Sequence, residues 1–173
     1  MNRDQPSRPA NVANIVAINQ GKLPLTMDAP RAAPLAVDEV SDLLAQDHLV
    51  VDTRSAAAFG SGHIPASYNI QLSSAEFEQR IGWITPLDAP LILVLAQDAE
   101  ADSAMQALAF VGLDQRVTGY LAGGIGEWID AGRPQATVPQ ISVHELHRHL
   151  QNGSVMQVLD VREPSEWQRG HIE

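Results

Sequence analysis

The chain of 173 residues contains no cysteine. This absence excludes a disulfide framework and a zinc site built from cysteine thiolates. The sequence also lacks any apolar run that approaches the length of a membrane span, and no such run follows a charged amino-terminal region. We therefore expect a cytoplasmic chain.

Basic residues are scarce as well. Eleven Lys and Arg oppose 21 Asp and Glu, so the formal net charge is −10 and the pI is near 4.9. A chain of this charge has no basic footprint for nucleic acid or for an anionic membrane face. The acidic excess is most simply a source of solubility. With 45 % hydrophobic residues, the composition is that of a soluble globular protein.

One pattern of residues occurs twice. Residues 50–66 begin with two valines that suit a buried strand, continue through Asp52 and Arg54, and end in a Gly-His-Ile-Pro-Ala turn. The same order returns 108 residues later. The matching pairs are Asp52 and Asp160, Arg54 and Arg162, Phe59 and Trp167, Gly62 and Gly170, and His63 and His171. Five matches at one offset predict a repeated domain whose second copy is truncated soon after its start.

Strands and helices are predicted to alternate through the first copy, which indicates an α/β fold with a parallel sheet. The continuous apolar run 91–95 is typical of a central strand that is buried on both faces. Further strands are predicted at 48–53 and 116–119, and helices at 37–44, 55–60, 73–83, 100–111 and 124–131. We expect Ile84 to share a buried face with Phe77 and Ile81, and the tryptophans Trp83, Trp128 and Trp167 to lie in or near the core.

Two segments of the chain resemble one family. Asp52-Thr53-Arg54, the aromatic spacer and Gly62-His63-Ile64-Pro65-Ala66 resemble the amino-terminal signature of the rhodanese (sulfurtransferase) superfamily. Residues 121–128 and 131–134, read LAGGIGEW and AGRP, resemble its carboxyl-terminal signature. The resemblance implies a rhodanese-like open parallel sheet with helices on both faces, plus the truncated start of a second copy.

Three regions follow from these patterns. Residues 1–33 show no sustained helical or strand period and are predicted to be a linker or connector arm. The apolar patch of this arm, residues 15–18, is expected to pack on a neighbour. The arm resembles the connector of proteins that fuse a metallo-β-lactamase-fold hydrolase to rhodanese domains, which would make Met1 an unnatural start. Residues 34–135 form the rhodanese-like domain. Residues 136–173 form the fragment of a second one, with a helix at 143–150 and a strand at 155–161.

In active members of this superfamily a cysteine opens the loop that follows the central strand. Its thiolate is stabilised by backbone N–H groups and takes up sulfur as a persulfide. In this chain Ala96 stands at that position, so the resemblance implies no catalytic residue and no persulfide chemistry in this domain. The vestigial loop consists of Ala96, Gln97, Asp98, Ala99, Glu100, Ala101 and Asp102.

The acidic residues of this loop have two interpretations. Asp98, Glu100 and Asp102 could form a pocket for a cation or a basic partner. They could instead be remnants that favour the amino terminus of the following helix. In either case each carboxylate would repel an anionic sulfur donor by about 1 kcal/mol in water-like surroundings.

The remaining polar motifs are expected to be structural. Asp52 and Arg54 could bind substrate, but we favour an ion pair that fixes the strand end. His63 is expected to pin its turn by a hydrogen bond. We interpret the histidines of the H-x-x-H-x-H stretch as part of a solvated helix face, and predict no metal site and no cofactor. These histidines are His144, His147 and His149.

The sequence thus predicts a catalytically inactive rhodanese-like domain that serves as a structural or regulatory module of a larger sulfur-metabolism protein. Its expected partners are other domains of the same polypeptide, without nucleic acid or membrane, and its small-molecule ligand is undefined. The alternative is a fragment of an active sulfurtransferase or of a metallo-β-lactamase-fold persulfide dioxygenase, with the catalytic residues outside this chain. A third possibility is an independent binding module that uses the acidic loop.

Overall fold

The computed structural model describes residues 12–23 and 31–172. The chain divides into two compact units, Met1–Pro139 and Gln140–Glu173. No helix of the described residues is both long enough and apolar enough to cross a membrane.

The first unit is built on a five-stranded sheet in which every neighbouring pair of strands is parallel. The strand order is β1-β5-β4-β2-β3. This α/β architecture with a parallel sheet confirms the predicted fold class. The strands are β1 (Ala33–Leu35), β2 (Leu49–Asp52), β3 (Tyr68–Asn69), β4 (Leu91–Val94) and β5 (Val117–Leu121).

Helices cover both faces of this sheet, and the central strand β4 shows why. Leu91 and Leu93 pack in one apolar cluster with residues of α4 and α5, whereas Ile92 and Val94 pack in a second cluster with residues of α2 and α6. The strand is fully buried, as its continuous apolar run predicts. The helices of this unit are α1 (Val12–Asn19), α2 (Val37–Leu44), α3 (Ala56–Ser61), α4 (Phe77–Ile84), α5 (Ala101–Ala109) and α6 (Ile125–Asp130).

The amino-terminal arm contains more structure than its sequence predicts. Residues 12–19 form α1, where no sustained period was expected, because contact of Ile15 with the core stabilises a helix that its weak amphipathicity does not indicate. The arm prediction for residues 1–11 and 24–30 lies outside the described residues. Strand β1 begins at Ala33, which pairs with Gly119, one residue before the predicted start of the domain.

The end of the first unit also extends past the predicted boundary at residue 135. His63 and Ala136 exchange two backbone hydrogen bonds, of 3.0 and 2.9 Å, and Val138 donates to the Gly60 carbonyl at 2.9 Å. These bonds hold residues 136–138 against the turn that carries His63.

Helix α4 corrects two expectations about burial. Phe77 and Ile81 are buried as predicted, but Trp83 and Ile84 are 53 % and 49 % exposed. The helix ends at Ile84, and it is the next residue, Thr85, that turns inward and donates its hydroxyl to the Ile81 carbonyl at 2.7 Å. Of the three tryptophans, Trp128 is buried, and Trp167 in the second unit is 45 % exposed, so the core prediction holds only for Trp128.

The second unit consists of α7 (Val143–Gln151), α8 (Pro164–Trp167) and connecting segments. The strand predicted at 155–161 does not form. A strand requires a neighbour to accept and donate its backbone hydrogen bonds, and no described residue of the chain pairs with this segment.

Candidate functional site

The candidate site is the loop that follows β4, at the carboxyl edge of the sheet. The chain leaves the buried Leu95, exposes Ala96 and Gln97, forms a 3₁₀ turn at Asp98–Glu100 and enters α5 at Ala101. In open parallel sheets this edge is where ligands bind. The side chain at the start of the loop is the methyl group of Ala96, which cannot act as a nucleophile.

The backbone amides at the start of the loop are already in contact with a carboxylate. Glu100 Oε2 accepts the N–H of Ala96 at 3.1 Å and the N–H of Gln97 at 3.4 Å. These two N–H groups belong to the cradle that a bound anion would need. Glu100 therefore occupies, with its own negative charge, the place of an external anion.

The other two acidic side chains of the loop differ from each other. Asp98 accepts the N–H of Gly123 through both carboxylate oxygens, at 3.1 and 3.2 Å. Gly123 has a left-handed φ of 71°, so the turn between β5 and α6 can direct this N–H toward the loop. Asp102 is exposed, and its Oδ1 lies 3.9 Å from Nε of Arg31, which is exposed as well, so this ion pair contributes little to stability.

This pattern favours the structural interpretation of the acidic loop over an open cation pocket. Two of the three carboxylates are hydrogen-bonded to backbone amides. A hollow of about 410 Å³ lies beside them and exposes Arg31, Asp98, Asp102 and Tyr120 among small apolar residues. No thiol or amine is among its lining groups, and they offer no strong nucleophile.

Asp52 and Arg54 form a buried ion pair at the end of β2. Arg54 Nη2 lies 2.6 Å from Asp52 Oδ2 and donates to the Gly62 carbonyl at 2.8 Å, and its Nε donates to Asp52 Oδ1 at 2.9 Å. The Asn69 amide donates to the carbonyls of both residues, at 3.0 and 2.9 Å. The guanidinium therefore ties the strand end to the following turn.

His63 fixes the same turn. Its Nδ1 lies 2.9 Å from the Phe59 carbonyl, and its ring stacks on the Phe59 ring with centroids 3.7 Å apart. His63 is also buried and pairs through its backbone with Ala136. The ring of His63 therefore joins the turn to Phe59 of α3.

The second copy of the motif reproduces these contacts within the second unit. Arg162 Nη2 lies 2.6 Å from Asp160 Oδ2 and 2.9 Å from the Gly170 carbonyl, and His171 stacks on Trp167 at 3.7 Å. The hydrogen bonds from Arg162 lower the pKa of Asp160 to about 2, and Asp160 in turn raises the pKa of Arg162. The motif therefore holds its geometry without a surrounding core.

The structure adds one repeated feature that the sequence analysis missed. Glu39 Oε2 accepts the N–H of Ala36 at the start of α2, and Glu145 Oε2 accepts the N–H of Ser142 at the start of α7, both at 2.7 Å. These glutamates are 106 residues apart, so the second copy has two additional residues between its helix and its Asp-x-Arg motif. A glutamate three residues after each cap was the available signal. In the second copy this bond, together with that of the Ser142 hydroxyl, lowers the pKa of Glu145.

A second missed feature lies at the opposite edge of the sheet. Arg116, the residue immediately before β5, donates to the Thr85 hydroxyl and to the carbonyls of Pro86 and Ala89. Burial lowers its pKa, and the charge of Asp88 opposes that effect. Arg116 holds the loop after α4, and no motif in the sequence indicates this role.

The histidines of α7 are exposed. Within residues 12–23 and 31–172, no group of three or more His, Cys, Asp or Glu side chains is arranged to hold a metal ion.

A parallel α/β domain with a strand-to-helix loop at its carboxyl edge defines the class. The family model of the rhodanese-like domain matches residues 36–131, and the chain belongs to this family. Among solved structures, the Alr3790 protein from Anabaena sp. aligns with a TM-score of 0.53 and 20 % identity over 69 % of this chain and 93 % of its own. A solution structure of the rhodanese-like domain of the same Anabaena protein aligns with a TM-score of 0.52 and 16 % identity over 75 % of this chain and 93 % of that chain. At these identities the two structures show the fold alone.

A third similar structure belongs to a much longer protein, of which this chain matches only a part. The metallo-beta-lactamase from Staphylococcus aureus subsp. aureus COL aligns with a TM-score of 0.55 and 26 % identity over 70 % of this chain, but over only 32 % of its own. This match is compatible with the predicted relation to fusion proteins. No curated protein matches the sequence.

Proposed function

We propose that this rhodanese-like domain does not transfer sulfur and serves as a structural or regulatory module of a larger sulfur-metabolism protein. The observation that carries the proposal is the loop after β4, where Ala96 supplies no thiol and Glu100 accepts the amides of Ala96 and Gln97. Other domains of the same polypeptide are its proposed partners, and no cofactor is required.

The chemistry of sulfur transfer explains why this loop supports inactivity. A sulfurtransferase must attack the donor with a thiolate and then hold the persulfide anion among backbone N–H groups. In this chain the first requirement fails at Ala96. Glu100 opposes the second requirement, because its carboxylate already accepts the hydrogen bonds of these N–H groups and repels an anionic donor by about 1 kcal/mol or more.

A thiosulfate:cyanide sulfurtransferase assay tests the proposal. The purified chain should produce thiocyanate no faster than buffer alone, while an active rhodanese assayed in parallel should give clear turnover. Turnover by the chain itself would contradict the proposal, because it would require a nucleophile other than a cysteine.

A second candidate function draws on the match to the Staphylococcus aureus metallo-beta-lactamase. In this hypothesis the chain is a part of a fusion protein, a sulfurtransferase or a metallo-β-lactamase-fold persulfide dioxygenase, and residues 136–173 begin a second rhodanese-like domain. Both candidates place the chain in a polypeptide with a mass far above 18.7 kDa, so a natural gene product of about 18.7 kDa would contradict both. The sequence of the natural gene product separates the two candidates. A C-x-x-G-x-R-like loop near position 204 supports the fusion enzyme, and a natural gene product without catalytic residues for either activity contradicts it.

A further inference from the structure

The turn that ends α7 contains the one Asn-Gly dipeptide of the sequence, Asn152-Gly153. Asn152 is the C-cap residue of the helix, and both residues are exposed. Gly153 has a left-handed φ of 72°, a conformation that glycine adopts without strain. An asparagine amide and a glycine backbone nitrogen therefore lie next to each other at the surface of the second unit.

The first unit shows that this turn lies at the surface of a complete domain as well. Gln46 and Asp47 occupy the two positions at the end of α2, 106 residues earlier, and both are exposed. The Asp47 N–H donates to the Leu44 carbonyl at 3.3 Å. In the second unit the Gly153 N–H donates to the Leu150 carbonyl at 3.1 Å, so the two turns have the same hydrogen bond. The exposure of the dipeptide is therefore a property of the turn and does not depend on how much of the second copy follows it.

We propose that Asn152 is a modification site, at which the side-chain amide is lost through a cyclic imide with water as the co-reactant. The backbone nitrogen of Gly153 attacks Cγ of Asn152 and forms a new C–N bond. The Nδ2 group leaves as ammonia and takes the proton that Gly153 loses. Water then opens the imide at either of its carbonyl groups. Cleavage of the new bond gives aspartate, and cleavage of the original peptide bond gives isoaspartate.

Three features favour this reaction at Asn152. The nucleophile and the carbonyl carbon belong to adjacent residues, so the attack is intramolecular. Glycine has no Cβ atom to crowd the nitrogen that must approach Cγ. The Gly153 nitrogen must first leave the Leu150 carbonyl, but this requires only fraying of the last turn of α7, and fraying at a helix end has a low free-energy cost.

Asn69 of β3 provides an internal comparison. Its side-chain amide donates to the carbonyls of Asp52 and Arg54 at 3.0 and 2.9 Å. The next residue is the β-branched Ile70, which is 3 % exposed. The same reaction at Asn69 would require both hydrogen bonds and the strand pairing to open. We therefore expect Asn69 to keep its amide while Asn152 is converted.

The modification changes the end of α7. Either product places a carboxylate at the carboxyl terminus of the helix, where the helix dipole is negative, and so favours fraying. Isoaspartate also adds one methylene group to the backbone inside the turn, which is closed by the Ser154 N–H donating to the His149 carbonyl at 3.1 Å. We expect this hydrogen bond to be lost in the isoaspartyl form. This inference does not depend on whether the protein transfers sulfur.

Mass spectrometry of the full chain, incubated at neutral pH and then digested with trypsin, tests the proposal. Residues 149–162 and 55–80 each form one tryptic peptide with a single asparagine. The first peptide should acquire the mass change that replacement of NH₂ by OH gives, and its aspartyl and isoaspartyl forms should elute separately. The second peptide should keep its mass. A sample taken before incubation corrects for conversion during digestion.

Two variants copy the turn of the first unit and serve as matched controls. Asn152→Gln introduces the residue type of Gln46, whose longer side chain would have to close a larger ring, and should abolish the conversion. Gly153→Asp introduces the residue type of Asp47, which adopts the same turn with a φ of 62°. Its side chain crowds the attacking nitrogen and should slow the conversion by about tenfold or more. The amide spectrum of α7 verifies that both variants keep the helix.

A synthetic peptide of residues 149–162 sets the time scale of the measurement. If Asn152 in the full chain kept its amide while this peptide was fully converted, the proposal would be overturned, because the folded turn would then protect the amide. Equal conversion of Asn69 would also overturn it, since the reaction would then follow global unfolding. So would an unchanged rate in Gly153→Asp, because the attack would then not depend on the glycine nitrogen.

Discussion

Glu100 and Ala96 act on the same loop through different atoms. Ala96 lacks a sulfur atom, whereas Glu100 occupies two backbone N–H groups with its carboxylate. A thiol at position 96 alone should therefore transfer sulfur slowly. Removal of the Glu100 carboxylate from the two N–H groups should be a second, separate requirement for sulfur transfer.

Paired substitutions test this separation. We expect Ala96→Cys combined with Glu100→Ala to form a persulfide from thiosulfate at least about tenfold faster than Ala96→Cys alone, because the freed N–H groups can stabilise the anion. Ala96→Cys with Asp102→Ala is the matched control, since it removes the same charge but no hydrogen bond to the loop amides. Rates come from thiocyanate release. Equal rates in the two double variants would mean that charge alone, and not occupation of the N–H groups, limits the loop.

The Asp160–Arg162 pair predicts a pH dependence in the second unit. The pKa of Asp160 is lowered to about 2 in the folded state, from the 3.8 of the free side chain. A lowered pKa means that the carboxylate stabilises the turn fully above about pH 3.8, and that this stabilisation is lost as the pH falls through about 2.

NMR of the Arg162 Nε–H should follow this change. The resonance should keep its hydrogen-bonded shift at pH 5 and lose it as Asp160 is protonated near pH 2. Asp160→Asn should abolish the transition. If the native chain lost the hydrogen-bonded chemical shift near pH 4, the hydrogen bonds between Arg162 and Asp160 would not lower the pKa of Asp160, and the ion pair would be contradicted.

Only some of these residue roles could be predicted from the sequence. The spacing of Asp52, Arg54 and His63 was sufficient to suggest a fixed turn, because all three act within a short segment. The bond from Glu100 back to the amide of Ala96 depends on the 3₁₀ turn between them, which the sequence did not indicate.

At the scale of elements, Gly119 is required for the pairing of the edge strand β1. A Cβ atom there would lie 2.4 Å from the Ala33 carbonyl oxygen and 2.7 Å from Leu35 Cγ. Gly119→Ala should therefore force β1 away from β5 and lower the free energy of unfolding by roughly 1–3 kcal/mol.

Gly126→Ala in α6 is the matched control for this prediction. A Cβ atom at Gly126 would meet nothing within 4 Å, and alanine in a helix should be neutral or stabilising by about 0.5–1 kcal/mol. Urea denaturation of both variants measures the difference. An unchanged midpoint for Gly119→Ala would mean that β1 contributes nothing to the stability of the sheet.

The elements also show where sequence patterns are reliable. The continuous apolar run of β4 correctly predicted a central strand, because a strand that is buried on both faces has no polar residues at alternate positions. Residues 155–161 are also mostly apolar, apart from Gln157 and Asp160, yet no strand forms, because a strand depends on a neighbouring strand that the segment itself does not contain. Helix α1 was not predicted for a related reason: it is stabilised by packing on the core, which its own sequence does not show.

For the whole molecule, the two units should differ widely in stability. The first encloses two buried apolar clusters around β4, while most large apolar side chains of the second are exposed. Hydrogen exchange should therefore be slow at Leu91–Val94, near the rate set by global unfolding, and close to that of an unfolded peptide at 157–159. Comparable protection in both segments would contradict this division.

The central claim is that the chain does not carry sulfur, and the intact mass of the wild-type protein after incubation with thiosulfate tests it most directly. The same measurement on an active rhodanese shows that the conditions load a competent thiol. We predict that the mass of this chain stays that of its sequence, because no side chain of the loop after β4 can form a persulfide. A gain of one sulfur atom, removable by cyanide, would contradict the account.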